Sequence, residues 1–124
     1  MYEIEIKDSF QASHFLKLQK DSWENPHKHQ WIVAVTVRSR KLDPIGVVAD
    51  FEELKPLLKD VLADFNQKTF NHHPEFRKKK LNPSTENIAK VIYDRLKKSF
   101  RSKHAKIVKV TVWETPDASA SFYA

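Results

Sequence analysis

The sequence predicts an α+β fold, a four-stranded antiparallel sheet with two helices on one face in the order β-β-α-α-β-β. Three observations carry this. Apolar and polar residues alternate near both ends of the chain, the period of a half-buried strand. Two stretches between them switch to the three- and four-residue spacing of an amphipathic helix. The chain has 124 residues, 40% hydrophobic and 31% charged, which suits one domain over residues 1–124 whose core needs no staple.

The first strand starts where Tyr2, Ile4 and Ile6 alternate with Glu3, Glu5 and Lys7, and Phe10, Ala12 and His14 extend it. Residues 17–26 are polar and end in Asn25-Pro26, a loop signal. In the second strand Trp31, Val33, Val35 and Val37 share one face, with Ile32, Ala34 and Thr36 on the other. Lys41 to Gly46 reads as a turn leading into Val47-Val48.

Helical spacing then runs from Phe51 through Leu54, Leu57, Leu58, Val61 and Leu62 to Phe65. Asp50 is its expected N-cap, with Glu53 three residues on. Pro56 lies about one turn inside, so a later helix start is expected. Residues 66–83 read as an irregular polar connection. The second helix begins near Ser84 or Thr85, carries Ile88, Ala89, Val91, Ile92 and Leu96 on its apolar stripe, and ends near Lys97-Lys98. Ile107, Val108, Val110, Val112 and Trp113 form a strand, Thr115-Pro116-Asp117 a turn, and Ala118, Ala120 and Phe122 a last strand. Two helices cover only one face of such a sheet. The other face calls for another layer, and a partner subunit is its simplest source.

Composition excludes several chemistries. With no cysteine there are no disulfides, thiolate zinc sites, iron–sulfur clusters or cysteine nucleophile. A single glycine, Gly46, excludes a P-loop and the glycine-rich dinucleotide fingerprint. The net charge of +6 suits an anionic partner, but it is scattered, and the one dense run, Arg77-Lys78-Lys79-Lys80, reads as solvated loop charge. That run lacks interleaved aromatics and any recognised nucleic-acid motif, so nucleic acid is not an expected partner. The start of the chain lacks the blocks of a signal peptide and no stretch is long enough to span a bilayer, so a cytoplasmic location without membrane association is expected.

His27 and His29 are the sharpest chemical signal. On a strand, residues i and i+2 point the same way, roughly 6.5 Å apart at Cα. If the His14 strand pairs with theirs, three imidazoles meet, the pattern of a catalytic zinc site with one open position. Spacing alone leaves open the reading as ordinary polar or core histidines. His72-His73 offers an acid or base near neutral pH, or simply two loop histidines. Glu114 ends an apolar strand, where a carboxylate needs a partner. That partner is either a Lys or Arg or the amidine-like edge of a pterin or guanine. No serine nucleophile elbow is present.

Five segments, in order, resemble the 6-pyruvoyltetrahydropterin synthase and 6-carboxytetrahydropterin synthase family over nearly the whole chain. Phe10-Gln11-Ala12-Ser13-His14 is similar to its first histidine motif, and His27-Lys28-His29 to its histidine-glycine-histidine. Gly46 to Phe51 with Leu54-Lys55 resembles its GMVxDFxxLK run. Pro74-Glu75-Phe76 with Asn82 to Asn87 resembles its PEF…NPTxEN segment, and Val112 to Thr115 its VxET strand end. The resemblance implies the tunnelling fold, in which subunits join edge to edge into a barrel-like trimer, often stacked as a hexamer. It implies Zn2+ on His14, His27 and His29. It implies a pterin anchored by Glu114 with help from Ser84 and Thr85, and a lyase reaction on dihydroneopterin triphosphate. Biopterin, queuosine and folate directions all stay open.

The chain also departs from that pattern. Trp23 stands at the family's catalytic cysteine, with Glu24 beside it, and some relatives use glutamate in that role. Asn66 and Gln67 stand at the aspartate–histidine couple, and amides do not titrate near neutral pH. Lys28 replaces the glycine between the histidines. The expected activity is therefore a synthase-like reaction with an altered proton relay, using Glu24 and His72 or His73. The other expectations are a different, simpler reaction on a pterin, or a zinc- and pterin-binding paralogue without turnover.

Overall fold

In the computed structural model, which describes all 124 residues, the two alternating N-terminal stretches become the longest strands. They are β1 (Tyr2–His14) and β2 (His27–Ser39), paired antiparallel along their full length. β2 also pairs antiparallel with β4 (Lys106–Thr115), which turns into β5 (Ala118–Tyr123). One element lies outside the expected antiparallel four. Lys68–Thr69 forms a short β3 parallel to β1 at Ala12 and Ser13, giving a mixed five-stranded sheet in the order β3-β1-β2-β4-β5. Two residues are too few to show a period, so only the fold reveals this edge.

The helices form where spacing placed them. α1 spans Phe51–Phe65, and the Asp50 side chain accepts the Glu52 N–H at 2.8 Å. The later start expected from Pro56 does not occur. Pro56 removes one N–H from the ladder, but the cap and the buried stripe of Leu54, Leu58, Val61, Leu62 and Phe65 hold the first turn in place. The connection after α1 is not the irregular polar segment expected. It contains β3, a 3-10 turn at Phe70–His72 and a short α2 (Pro74–Arg77), and it buries Phe70 and Phe76 to 1% exposure. α3 (Thr85–Ser99) starts at Ser84, whose hydroxyl accepts the Asn87 N–H, and buries Ile88, Ala89, Val91, Ile92, Tyr93 and Leu96.

α1 packs on β1, and α3 on β4 and β5, so both cover the same face. Phe10, Trp31, Val33, Val35, Val37, Val110 and Val112 fill that side. The opposite face is polar and laced with side-chain pairs such as Arg38–Glu3 at 2.6 Å and Thr111–Ser121 at 2.7 Å. Trp31 is the floor of one end of the core, fully buried, with its indole N–H donating to the Ala12 carbonyl at 3.0 Å. No helix is long and apolar enough to cross a membrane.

Candidate metal centre

The register of β1 against β2 assembles the histidines. His14 pairs with His27 and Ala12 with His29, so His29 lies diagonal to His14 on the same face. The ring centroids lie 4.4 Å (His14–His27), 4.7 Å (His27–His29) and 5.3 Å (His14–His29) apart. Trp31 backs both His14 and His29, at 4.9 and 5.4 Å, and supplies an apolar wall. Glu114 joins from β4, where the register with β5 shifts between Trp113 and Thr115. A bulge of this kind re-aims a side chain. Glu114 Oε1 lies 2.8 Å from His14 Nε2 and 3.6 Å from His29 Nε2, and ligand atoms of all four residues fall within 4.8 Å of one another.

The tautomer of His14 shows what this cluster fits. His14 is 1% exposed, and its Nδ1 lies 2.8 Å from the Pro83 carbonyl. A carbonyl only accepts, so Nδ1 carries the proton and donates. In the neutral ring Nε2 is then a lone pair, and it faces a carboxylate oxygen that also only accepts. By distance this is an ion pair, yet Nε2 has no hydrogen-bond partner. The two descriptions agree once a positive charge stands between the groups, either a proton on Nε2 or a cation. Three imidazole nitrogens without a thiolate are a donor set suited to zinc, and the Glu114 carboxylate beside them adds negative charge that favours a cation. The Pro83 carbonyl is the outer partner that fixes the tautomer of a ligating histidine. Burial pushes His29 below the usual histidine range, against the pull of Glu114, which keeps its ring neutral as a ligand must be.

Glu24 lies at the rim. Its Oε1 accepts the Leu16 N–H at 2.9 Å and sits 3.3 Å from His27 Nε2, while no bond engages Oε2. The Leu16 N–H is the main reason its carboxyl lies below the usual range, with burial opposing and His27 adding to the effect. Ser84 and Thr85 begin α3 directly after Pro83, so the helix N-terminus adjoins His14, though the Ser84 hydroxyl is engaged as the cap.

The structure does not bring His72 or His73 into the cluster. His72 is exposed and lies edge-on to Phe15 at 6.1 Å. His73 has both ring nitrogens engaged, Nε2–H donating to Asp64 at 2.8 Å and Nδ1 accepting the Glu75 N–H at 3.1 Å. Burial opposes the Asp64 carboxylate, but hydrogen bonds from Arg95 and His73 outweigh it and hold the group at about 2. Asn66 and Gln67 peg the sheet edge. Asn66 Oδ1 accepts the Gln11 N–H at 3.0 Å and the Gln67 amide donates to Gln11 Oε1 at 3.0 Å. Sequence reading missed the Pro83 carbonyl and Asp64. A carbonyl has no residue signature, and Asp64 lies nine positions from the histidine it holds.

A family model described as 6-pyruvoyl tetrahydropterin synthase matches residues 3–124. A dihydroneopterin monophosphate aldolase of Pyrococcus furiosus is 31% identical over 111 residues, covering 90% of this chain and 88% of the relative. A 6-carboxy-5,6,7,8-tetrahydropterin synthase of Bacillus subtilis is 29% identical over 120 residues, 93% of this chain and 80% of the relative. Among solved structures, a 6-pyruvoyl tetrahydropterin synthase of Caenorhabditis elegans superposes with a TM-score of 0.85 at 27% identity, covering 99% of this chain and 95% of that one.

Proposed function

Because the chain belongs to the 6-pyruvoyl tetrahydropterin synthase family, we propose that it is a zinc-dependent lyase acting on the side chain of dihydroneopterin triphosphate or a related dihydroneopterin phosphate, with Glu24 in the proton relay. The observation that carries this is the buried His14 Nε2, 2.8 Å from Glu114 Oε1 and without a hydrogen-bond partner, a contact that calls for a positive charge between the two groups. His14, His27 and His29 would hold the metal. When bound, zinc polarises the hydroxyls of the pterin side chain and lowers their pKa. The fold contributes the rest. Trp31 excludes water from one side, and Pro83 fixes the ring of His14. Leu16 and His27 hold Glu24 by Oε1, so that Oε2 is free to take a proton. Glu114, Ser84 and Thr85 are the proposed anchors for the pterin ring.

One carboxylate suits carbon–carbon cleavage better than a longer relay. Glu24 removes the proton of the side chain's second hydroxyl, and the bond between the first and second side-chain carbons breaks. Its electron pair moves into the ring imine, and a two-carbon aldehyde leaves with the phosphate. The proton returns to the first carbon, leaving a hydroxymethyl group on the pterin. The resemblance to a dihydroneopterin monophosphate aldolase of Pyrococcus furiosus supports carbon–carbon cleavage as the reaction class. A second reading is a pterin binder without turnover, favoured by Asn66 and Gln67, which serve the sheet edge and cannot relay protons. The unpaired edge of β5 supports edge-to-edge assembly into a homotrimer or homohexamer.

Anaerobic incubation of zinc-loaded protein with dihydroneopterin mono- and triphosphate, read by mass spectrometry, tests the proposal. Loss of a two-carbon phosphorylated fragment is expected. Loss of triphosphate alone would indicate synthase chemistry instead. Unchanged substrate on zinc-loaded protein would overturn turnover on these compounds and favour the binder.

A further inference from the structure

A separate cavity of about 680 Å³ lies behind His14, between the loop after β1 and the connection that leads to α3. That volume falls within the range of small-molecule sites. We infer that it binds a phosphorylated planar heterocycle, with the ring against Trp23 and the phosphates on Arg77 and Lys80.

The lining is one-sided in charge. It contains Lys17, Arg77 and Lys80 and no Asp or Glu. Lys17 is paired with Asp21 at 3.3 Å, and Lys79, the neighbour of Lys80, reaches Glu75 at 3.8 Å. Arg77 and Lys80 form no ion pair, so two cations are available to an incoming anion. The lining is also aromatic, with Phe15, Trp23 and Phe76. Trp23 is 54% exposed, an unusual state for an indole, and Phe15 meets it edge-on at 5.6 Å. Phosphate alone would leave the indole unused, and an uncharged ring would leave the cations unused. A ligand carrying both uses the whole site.

The walls are built rather than incidental. The Asn71 amide accepts the Phe15 N–H at 3.0 Å and donates to the Phe15 carbonyl at 2.7 Å. The Asn82 amide does the same for Lys17, at 2.9 and 3.1 Å. Each amide holds one residue's N–H and C=O as a neighbouring strand would, and a bridge between Lys17 and Trp23 closes the loop. These contacts fix the loop that carries Trp23, the preorganisation that a binding site needs.

Trp23 reports occupancy directly. Trp31 is fully buried and Trp113 lies under Lys7 on the other face of the sheet, so quenching by a ligand here reads Trp23. The probes are ATP, dihydroneopterin triphosphate, adenosine and inorganic triphosphate, titrated against the full chain by fluorescence and calorimetry. At least one of the first two should quench saturably, and the one that binds tighter identifies a nucleotide or a pterin phosphate as the source. Adenosine and triphosphate should bind at least about ten-fold more weakly, the loss expected when a charge-assisted contact is removed. The double variant Arg77→Ala, Lys80→Ala should weaken binding by a similar factor or more, with unchanged circular dichroism and metal content. Trp23→Phe should lose the quench, and His29→Ala should keep it, since this cavity does not use the metal. The proposal is overturned if no probe saturates, if triphosphate binds as tightly as ATP without quenching, if the double variant binds normally, or if His29→Ala abolishes binding.

Discussion

His14 donates through Nδ1 to the carbonyl of Pro83, at 2.8 Å and out of contact with solvent. This bond decides which nitrogen faces the cluster, and it ties the last residue of β1 to the residue before the α3 cap.

Metal should therefore stabilise the fold, because it relieves a buried contact between two acceptors. One equivalent of zinc per chain is expected by elemental mass spectrometry, and chelation should lower the Tm by several degrees. His29→Ala, at a partly exposed position, should lower metal content strongly with its circular dichroism unchanged. Full zinc content in that variant would remove His29 from the ligand set.

Glu24→Gln keeps an acceptor oxygen for the Leu16 N–H but cannot take a proton. Turnover should fall at least about a hundred-fold, the usual loss for a general base, while zinc content and pterin affinity stay near wild type. If metal content falls with activity, Glu24 acts by holding His27 in place.

Asp64 makes stability depend on acid pH. Its carboxyl sits at about 2, against an ordinary value of 3.8. A depressed carboxyl contributes stability that is full above its unfolded value and disappears as pH falls through its folded one. The window is thus from about pH 4 down to about pH 2. The side chain is 37% exposed, so screening reduces the effect to on the order of 1 kcal/mol. Denaturant titrations across that window should show wild type losing this margin relative to Asp64→Asn. Parallel curves would place the stabilisation elsewhere.

The long elements were legible because their period extends over many residues. Alternation from Tyr2 to His14 and helical spacing from Phe51 to Phe65 each repeat enough to exclude the other. The histidines were legible for a related reason: once β1 and β2 pair, positions 14, 27 and 29 share a face. The segment 66–83 was not legible. Its apolar residues are isolated among polar ones, and its structure comes from contacts made at a distance, such as Gln67 N–H to the Gln11 carbonyl at 2.6 Å. His73 misled for the same reason, since its partner Asp64 sits on α1.

Phe70 shows what such a segment contributes. It is 1% exposed, in a connection whose sequence reads as polar, and it meets Phe65, Phe76, Trp31 and Phe10 at centroid distances of 5.2, 5.3, 5.6 and 5.9 Å. These four neighbours come from α1, α2, β2 and β1, so the ring joins the helical layer to the sheet beneath the metal centre. Phe70→Ala leaves a cavity that four separate elements cannot close by shifting together. The cost should be about 3–5 kcal/mol in equilibrium unfolding. Because Trp31 loses a neighbour and also backs His14 and His29, the same variant should weaken zinc binding, although Phe70 contacts no ligand. Phe70→Leu, which refills most of the space, should recover most of both losses. A loss of stability without a change in zinc affinity would show that Trp31 is held by β1 and β2 alone.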